Sequence, residues 1–222
     1  MQDIGIFSIV VIVVLVLAGG SILFTRMLEK KRREAFEAAA NGMGLSYSQQ
    51  GPAGMLQQLS RFKLFDRGYS KKIENVISGD AGEVAISIFD YRYTTGSGKN
   101  KNTHRQSVIS LSSPQLHCPD LRVRPENFFD RFGSALGFQD IDFEEYPKFS
   151  QLFVLQGDHE EQIRSFLKRP VIEWMENKPG ISLEAVGQTL FFYRPRKRIK
   201  PEEIKDSLAE AYEIFGLLVD AG

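Results

Sequence analysis

The chain has 222 residues, 42% hydrophobic and 25% charged, with 28 Lys and Arg against 28 Asp and Glu. From residue 41 onward the balance is 23 cations to 24 acids, without the basic excess of a duplex-binding domain, so no nucleic-acid partner is expected. The single cysteine, Cys118, excludes an intramolecular disulfide and fits a reducing compartment.

Residues 4–24 form a run of 21 uncharged, mostly apolar residues. As a helix this run is ~31 Å long, enough to cross a hydrocarbon core of about 30 Å. A cleaved signal peptide wants positive charge before its apolar core. Here Asp3 alone precedes the run, while Arg26, Lys30, Lys31, Arg32 and Arg33 follow it. A lipoprotein signal would need cysteine where Ser21 stands. The expectation is an uncleaved anchor. Lys and Arg near a span stay on the cytoplasmic side, so residues 1–3 lie outside and the bulk is cytoplasmic. The five cations are expected at anionic lipid headgroups. Good helix formers continue the helix over residues 25–42, and Asn41-Gly42 stops it.

Residues 43–222 suit one domain. A short extended segment at 45–47 precedes a turn at Gly51-Pro52, and Met55, Leu56, Leu59 and Phe62 predict a short amphipathic helix. Alternation predicts strands at 72–78, 83–94 and 103–112, the last two joined as a hairpin around residues 96–100. A strand at 121–124 leads through Pro125 into a helix at 126–132 ended by Gly133. The aromatic stretch 138–153 is interrupted by Pro147, and a strand follows at 152–156. Asp158 and Glu161 open a helix to about Lys168 that restarts at Pro170 and runs to Asn177. Strands at 181–186 and 189–194 turn through Gly187-Gln188. The last helix, from Pro201, carries Ile204, Leu208, Ala211, Tyr212, Phe215, Leu218 and Val219 on one stripe. Hairpins separated by helices, without βαβ alternation, predict α+β with a mainly antiparallel sheet.

No catalytic constellation is assembled. Gly96-Ser97-Gly98-Lys99 lacks the earlier glycine and the following Ser or Thr of a phosphate loop, since Tyr93 and Asn100 stand there. It reads as an exposed hairpin tip. His117 and Cys118 are adjacent and point apart in an extended segment. His159 would need a second histidine where Ile163 stands. No metal or cofactor is expected, and nothing in the sequence activates Cys118 toward His104 or His159. Asp140, Asp142 and Glu144 alternate with Ile141 and Phe143, placing three carboxylates on one strand face: a solvated edge, a site for a divalent cation or a basic partner, or an internal partner for the basic run 194–200.

The least ordinary pattern lies in the long hairpin. Val84, Ile86, Ile88, Asp90 and Arg92 share one face; Ala85, Ser87, Phe89, Tyr91 and Tyr93 share the other. Both faces begin apolar, as in a central strand, and the first then turns to Asp90 and Arg92. With His104, Arg105 or Gln106 from the returning strand, these form either a partly buried ion pair or a polar site for an anionic ligand.

The same stretch carries a resemblance. Residues 89–100, reading Phe-Asp-Tyr-Arg-Tyr-Thr-Thr-Gly-Ser-Gly-Lys-Asn, resemble the signature of an uncharacterised family of bacterial single-pass membrane proteins. Arg124-Pro125-Glu126-Asn127, Asp130-Arg131, Asp140-Ile141-Asp142-Phe143 and Phe192-Tyr193-Arg194 are similar to it as well. The resemblance implies a bacterial plasma membrane and carries over no activity. The expected function is a membrane-anchored cytoplasmic binding or scaffold module, touching the bilayer through residues 4–24 and a protein partner through its domain. The alternative is an enzyme or small-ligand sensor with a polar site beneath the 83–112 hairpin.

Overall fold

A computed structural model describes residues 2–126 and 141–221, and their side chains apart from those of residues 2–12, 14, 18 and 22. The chain opens with α1 (Gln2–Gly42), one unbroken helix of 41 residues. The expected division at residue 25 is therefore no break in the backbone. Among the described residues no helix is long and apolar enough to cross a membrane. The span expected at 4–24, more than half of whose side chains lie outside the described residues, draws no support from them.

Eight strands follow: β1 (Ser46–Gln50), β2 (Tyr69–Ala81), β3 (Val84–Thr95), β4 (Asn102–Ser112), β5 (Cys118–Pro125), β6 (Phe153–Gly157), β7 (Ser182–Gly187) and β8 (Thr189–Tyr193). They form one antiparallel sheet in the order β1-β2-β3-β4-β8-β7-β5-β6. The α+β expectation therefore holds, and β3 is interior, as its doubly apolar start implied. The β7–β8 turn closes with Val186 opposite Thr189. Gly187 there has φ +57°, the conformation a two-residue hairpin turn requires.

The sheet is covered on both faces. On one, Ile77, Ile86, Ile88, Ile109, Leu111, Leu183 and Phe192 form the main core. Helices α5 (Glu160–Phe166), α6 (Arg169–Glu176) and α7 (Ile204–Val219) contribute Ile163, Ile172, Met175, Ile214 and Phe215 to it, and α1 contributes fully buried Phe36 and Ala40. On the other face, Phe62, Leu64 and Phe65 cover Phe89, Tyr91, Tyr93, Val108, Phe191 and Tyr193. Phe65 lies 4.7 Å from the Tyr91 ring and 5.3 Å from that of Phe191, centre to centre.

Three local expectations need correction. The amphipathic helix at 55–62 is divided into α2 (Met55–Gln58), a 3₁₀ turn and α3 (Lys63–Asp66), because Phe62 is extended at φ −89°, ψ 137°. That break sinks Phe62 into the second face instead of along a helix stripe. Strand β2 begins at Tyr69, three residues earlier than its alternation suggests, because a register shift between Tyr69 and Lys72 interrupts the period. The expected helix at 126–132 and the start of the aromatic stretch fall at residues 127–140, outside the described residues. A further short helix, α4 (Pro147–Leu152), starts at the proline expected only to interrupt.

Truncating Phe36 tests whether α1 is part of this core. Phe36→Ala should cost ~3–5 kcal/mol, the usual range for a fully buried phenylalanine, in urea unfolding followed through Trp174 fluorescence. A loss below ~1 kcal/mol would place the helix outside the fold.

Candidate functional site

Asp90 is buried on β3 and gathers four partners from four parts of the chain. Arg32 on α1 grips it with two parallel bonds, Nε to Oδ2 and Nη2 to Oδ1, both 2.8 Å. Arg198, in the loop after β8, donates to Oδ2 at 3.0 Å. Asn75 on β2 donates to Oδ2 at 2.9 Å, and the Ser107 hydroxyl on β4 donates to Oδ1 at 2.6 Å. Forked Arg–carboxylate geometry is the strong, orientation-specific form of ion pair.

Local structure aims each group. Asn75 sits within the β2 register shift between Glu74 and Ile77 at φ +53°, a conformation Asn tolerates better than most side chains. That bulge turns its amide toward Asp90 while the Tyr47 hydroxyl donates to its Oδ1 at 3.0 Å. Ser107 stands directly opposite Asp90 in the ladder and accepts from the Ile199 N–H, tying down the 194–200 loop. Arg198 also forms a forked pair with Glu29 on α1, at 2.7 and 2.9 Å. Two acids and two arginines thus balance in a cluster that joins α1 to the sheet through residues 58 and 169 apart.

The electrostatics follow. Burial alone pushes the Asp90 carboxyl up, but the hydrogen bonds and charge of Arg32, the charge of Arg198 and the Ser107 hydroxyl together hold it below its ordinary value. Glu29 is lowered chiefly by its bond to Arg198.

The structure pairs Asp90 with companions other than those the sequence offered. Arg92 lies on the same face, yet the salt bridges to Asp90 come from Arg32 and Arg198, and the Arg92 Nε is buried without a hydrogen-bond partner among the described residues. Arg105 is exposed opposite Arg92. His104 faces the other side of the sheet. It stacks on Tyr93 at 4.7 Å, meets the Thr95 hydroxyl through Nε2 at 2.8 Å, and accepts from Arg196 Nε on Nδ1 at 3.1 Å. Alternation explains this: residues 104 and 106 share a face opposite to 105 and 107.

The remaining candidates resolve differently. Asp142 and Glu144 are exposed while Ile141 and Phe143 are buried, but residues 141–146 form a turn and no strand, which corrects the expected strand face; Asp140 lies outside the described residues. No group of three or more His, Cys, Asp or Glu suited to a metal occurs among the described residues. Basic residues 194–200 pair elsewhere than with that acidic stretch: Arg194 with Glu210 on α7 at 2.8 Å and Lys200 with Glu203 at 2.8 Å, besides Arg198 with Asp90. Of the expected headgroup cations, Arg26, Lys30 and Lys31 are exposed and Arg33 is half-buried. Arg32 is a correction, turned inward to Asp90. Burial pushes the Cys118 thiol up to about 12, leaving it without nucleophilic character.

A second polar feature lies on the other face of the sheet, and of its members the sequence offered Gln106 alone. On the face holding Tyr91 and Phe191, Tyr91 OH, Gln106 Nε2 and Ser182 Oγ are buried with no hydrogen-bond partner among the described residues, while the Arg122 guanidinium and the Tyr193 hydroxyl interact with each other. Tyr91 stands opposite Gln106, and Tyr193 opposite Ser182, so they form a band across β3, β4, β8, β7 and β5. Arg122 is opposite Glu184, whose buried carboxylate accepts the backbone N–H groups of Lys63 and Leu64.

No family model matches the sequence, and no curated protein matches it. Among solved structures, the crystal structure of the mycobacterial trehalose monomycolate transport factor A, TtfA, superposes with a TM-score of 0.59. The match covers 86% of this chain and 92% of TtfA at 12% sequence identity. What the two share is a fold.

The cluster sets a pH response. A depressed carboxyl stabilises the fold above its unfolded value near ~3.9, and that contribution is lost as pH falls through the folded value. Urea unfolding from pH 7 downward should show stability collapsing below ~4, with a flatter curve for Asp90→Asn. Asp90→Ala, which strands two arginines, should cost ~3–5 kcal/mol at neutral pH. A double-mutant cycle should give coupling for Arg32 with Asp90 and none for Arg92 with Asp90. The reverse result would return the pairing to β3 itself.

Proposed function

We propose that this chain is a membrane-anchored cytoplasmic binding or scaffold module, associated with transport, whose helix carries its domain as one rigid unit. The observation that carries the reading is the Asp90 cluster. It fastens to the sheet the same continuous helix that begins with the apolar run 4–24. A protein tethered only to raise its local concentration needs no such joint. A module that must present one surface at a set height and orientation does. At the sheet end away from the Asp90 level, an open cleft lined by Arg61, Asp80, Glu83, Ser113 and Gln188 offers polar groups to a partner. The fold shared with a transport factor adds the association with transport.

A small-ligand sensor is the second reading, favoured by the unpartnered polar atoms of Tyr91 and Gln106 on the 83–112 hairpin and of Ser182 beside it, on the face opposite Asp90. Its ligand would present acceptor oxygens to Arg122 and Gln106 and lie against the tyrosine rings.

Two measurements test the leading reading. A reporter active only outside the cytoplasm should work at the N-terminus and be silent at Gly222; activity at Gly222 overturns the orientation. Affinity purification from membranes should recover one protein partner that is lost on substituting Asp80 and Glu83. A small molecule retained by the purified chain, lost in Gln106→Leu and Tyr193→Phe, would favour the sensor.

A further inference from the structure

We infer that the β3–β4 hairpin tip and the sheet end around it form a second membrane contact, one that takes the anionic headgroups of the bilayer anchoring α1. The inference rests on the anchored reading of residues 4–24.

The geometry comes from α1 and its two landmarks. Arg32 is level with Asp90, while Leu45, just beyond the helix, lies against Gly79, which stands opposite Ile86. Descending α1 from Arg32 thus follows β3 from residue 90 toward 86. Ascending α1 toward residue 24 follows β3 from residue 90 toward the tip at 96–101. From Arg32 to Phe24 the helix rises ~12 Å, whereas the five strand residues from Asp90 to Thr95 span ~17 Å. The tip therefore reaches the end of the apolar run even if the strand is inclined to the helix by about 45°.

Charge separates along the same axis. Residues 91–119 include Arg92, Lys99, Lys101 and Arg105 and contain no Asp or Glu. Residues 73–91 contain no Lys or Arg, and Asp80 and Glu83 flank the opposite turn. Lys99, Lys101 and Arg105 are all exposed. In a chain with no net charge overall, this sorting places a cationic rim beside the exposed Arg26, Lys30 and Lys31 of α1 and the acids at the far end. The tip itself is built to stand out: Gly96 and Gly98 have φ +75° and +57°, and the Tyr69 hydroxyl braces the Gly96 carbonyl at 3.0 Å. An anionic surface attracts such a rim within a Debye length. Two contacts, α1 and the tip, would fix both the height of the domain and its rotation about the helix.

The test uses the full chain reconstituted in vesicles, with Ser97→Cys carrying an environment-sensitive fluorophore; Cys118 is buried and stays unlabelled. In vesicles of phosphatidylcholine with phosphatidylglycerol, the emission should shift blue and resist aqueous quenchers. It should stay unshifted in phosphatidylcholine alone and revert at high salt. Replacing Lys99, Lys101 and Arg105 with Gln should abolish the shift, with the tip's engagement weakened on the order of fivefold per cation removed. An unshifted probe in a chain that resists carbonate extraction overturns the inference and leaves the anchor intact. Extraction by carbonate overturns the anchored reading and the inference together. An equal shift in both lipids, or one produced by single-stranded RNA and not by vesicles, also overturns it.

Discussion

The structure depends on one buried carboxylate. Burying Asp90 between β2, β4 and α1 would be prohibitive if it were alone; desolvated charge is tolerated only when paired and hydrogen-bonded. Here the two arginines and two neutral donors satisfy it, and every one of those groups comes from a different element. The requirement to satisfy a single charge therefore sets the height of α1 on the sheet, the shape of the β2 bulge and the path of the loop after β8. Apolar packing of Phe36 and Ala40 holds α1 down, but grease alone would tolerate sliding. The forked bond adds register, the role for which buried ionic groups are best attested.

Much of this was legible beforehand. Alternation located β3, β4, β7 and β8, the apolar stripe located α7, and the abrupt turn from Ile88 to Asp90 marked a carboxylate that the fold buries in an ion pair. What sequence could not supply was the partner. Arg32 belongs to a cationic run whose ordinary reading is headgroup contact, and nothing local distinguishes it from Lys31. Its signal is indirect: four residues later stands Phe36, with Ala40 four beyond, a narrow stripe that pulls one helix face inward.

Other misses share a cause in long-range geometry. The order of the sheet inserts β8 and β7 between β4 and β5, so chain neighbours are not sheet neighbours and basic residues 194–200 arrive beside Asp90 from 108 positions away in the case of Arg198. His104 shows the opposite lesson. Its face followed from alternation with Arg105, and counting that parity would have separated it from Asp90 at once. The break at Phe62 had no local mark, since its extended backbone answers to an aromatic pocket formed by Phe191 on a distant strand.

The central claim is that α1 and the sheet move as one body. Backbone hydrogen exchange across residues 29–40 of the full chain tests it most directly. With the Asp90 cluster in place, these amides should exchange as slowly as those of β3 and β4, through global unfolding, and Asp90→Asn should release them alone while the sheet stays protected. Fast exchange over 29–40 in the unmodified chain, beside a protected sheet, would show a loose tether and contradict the account.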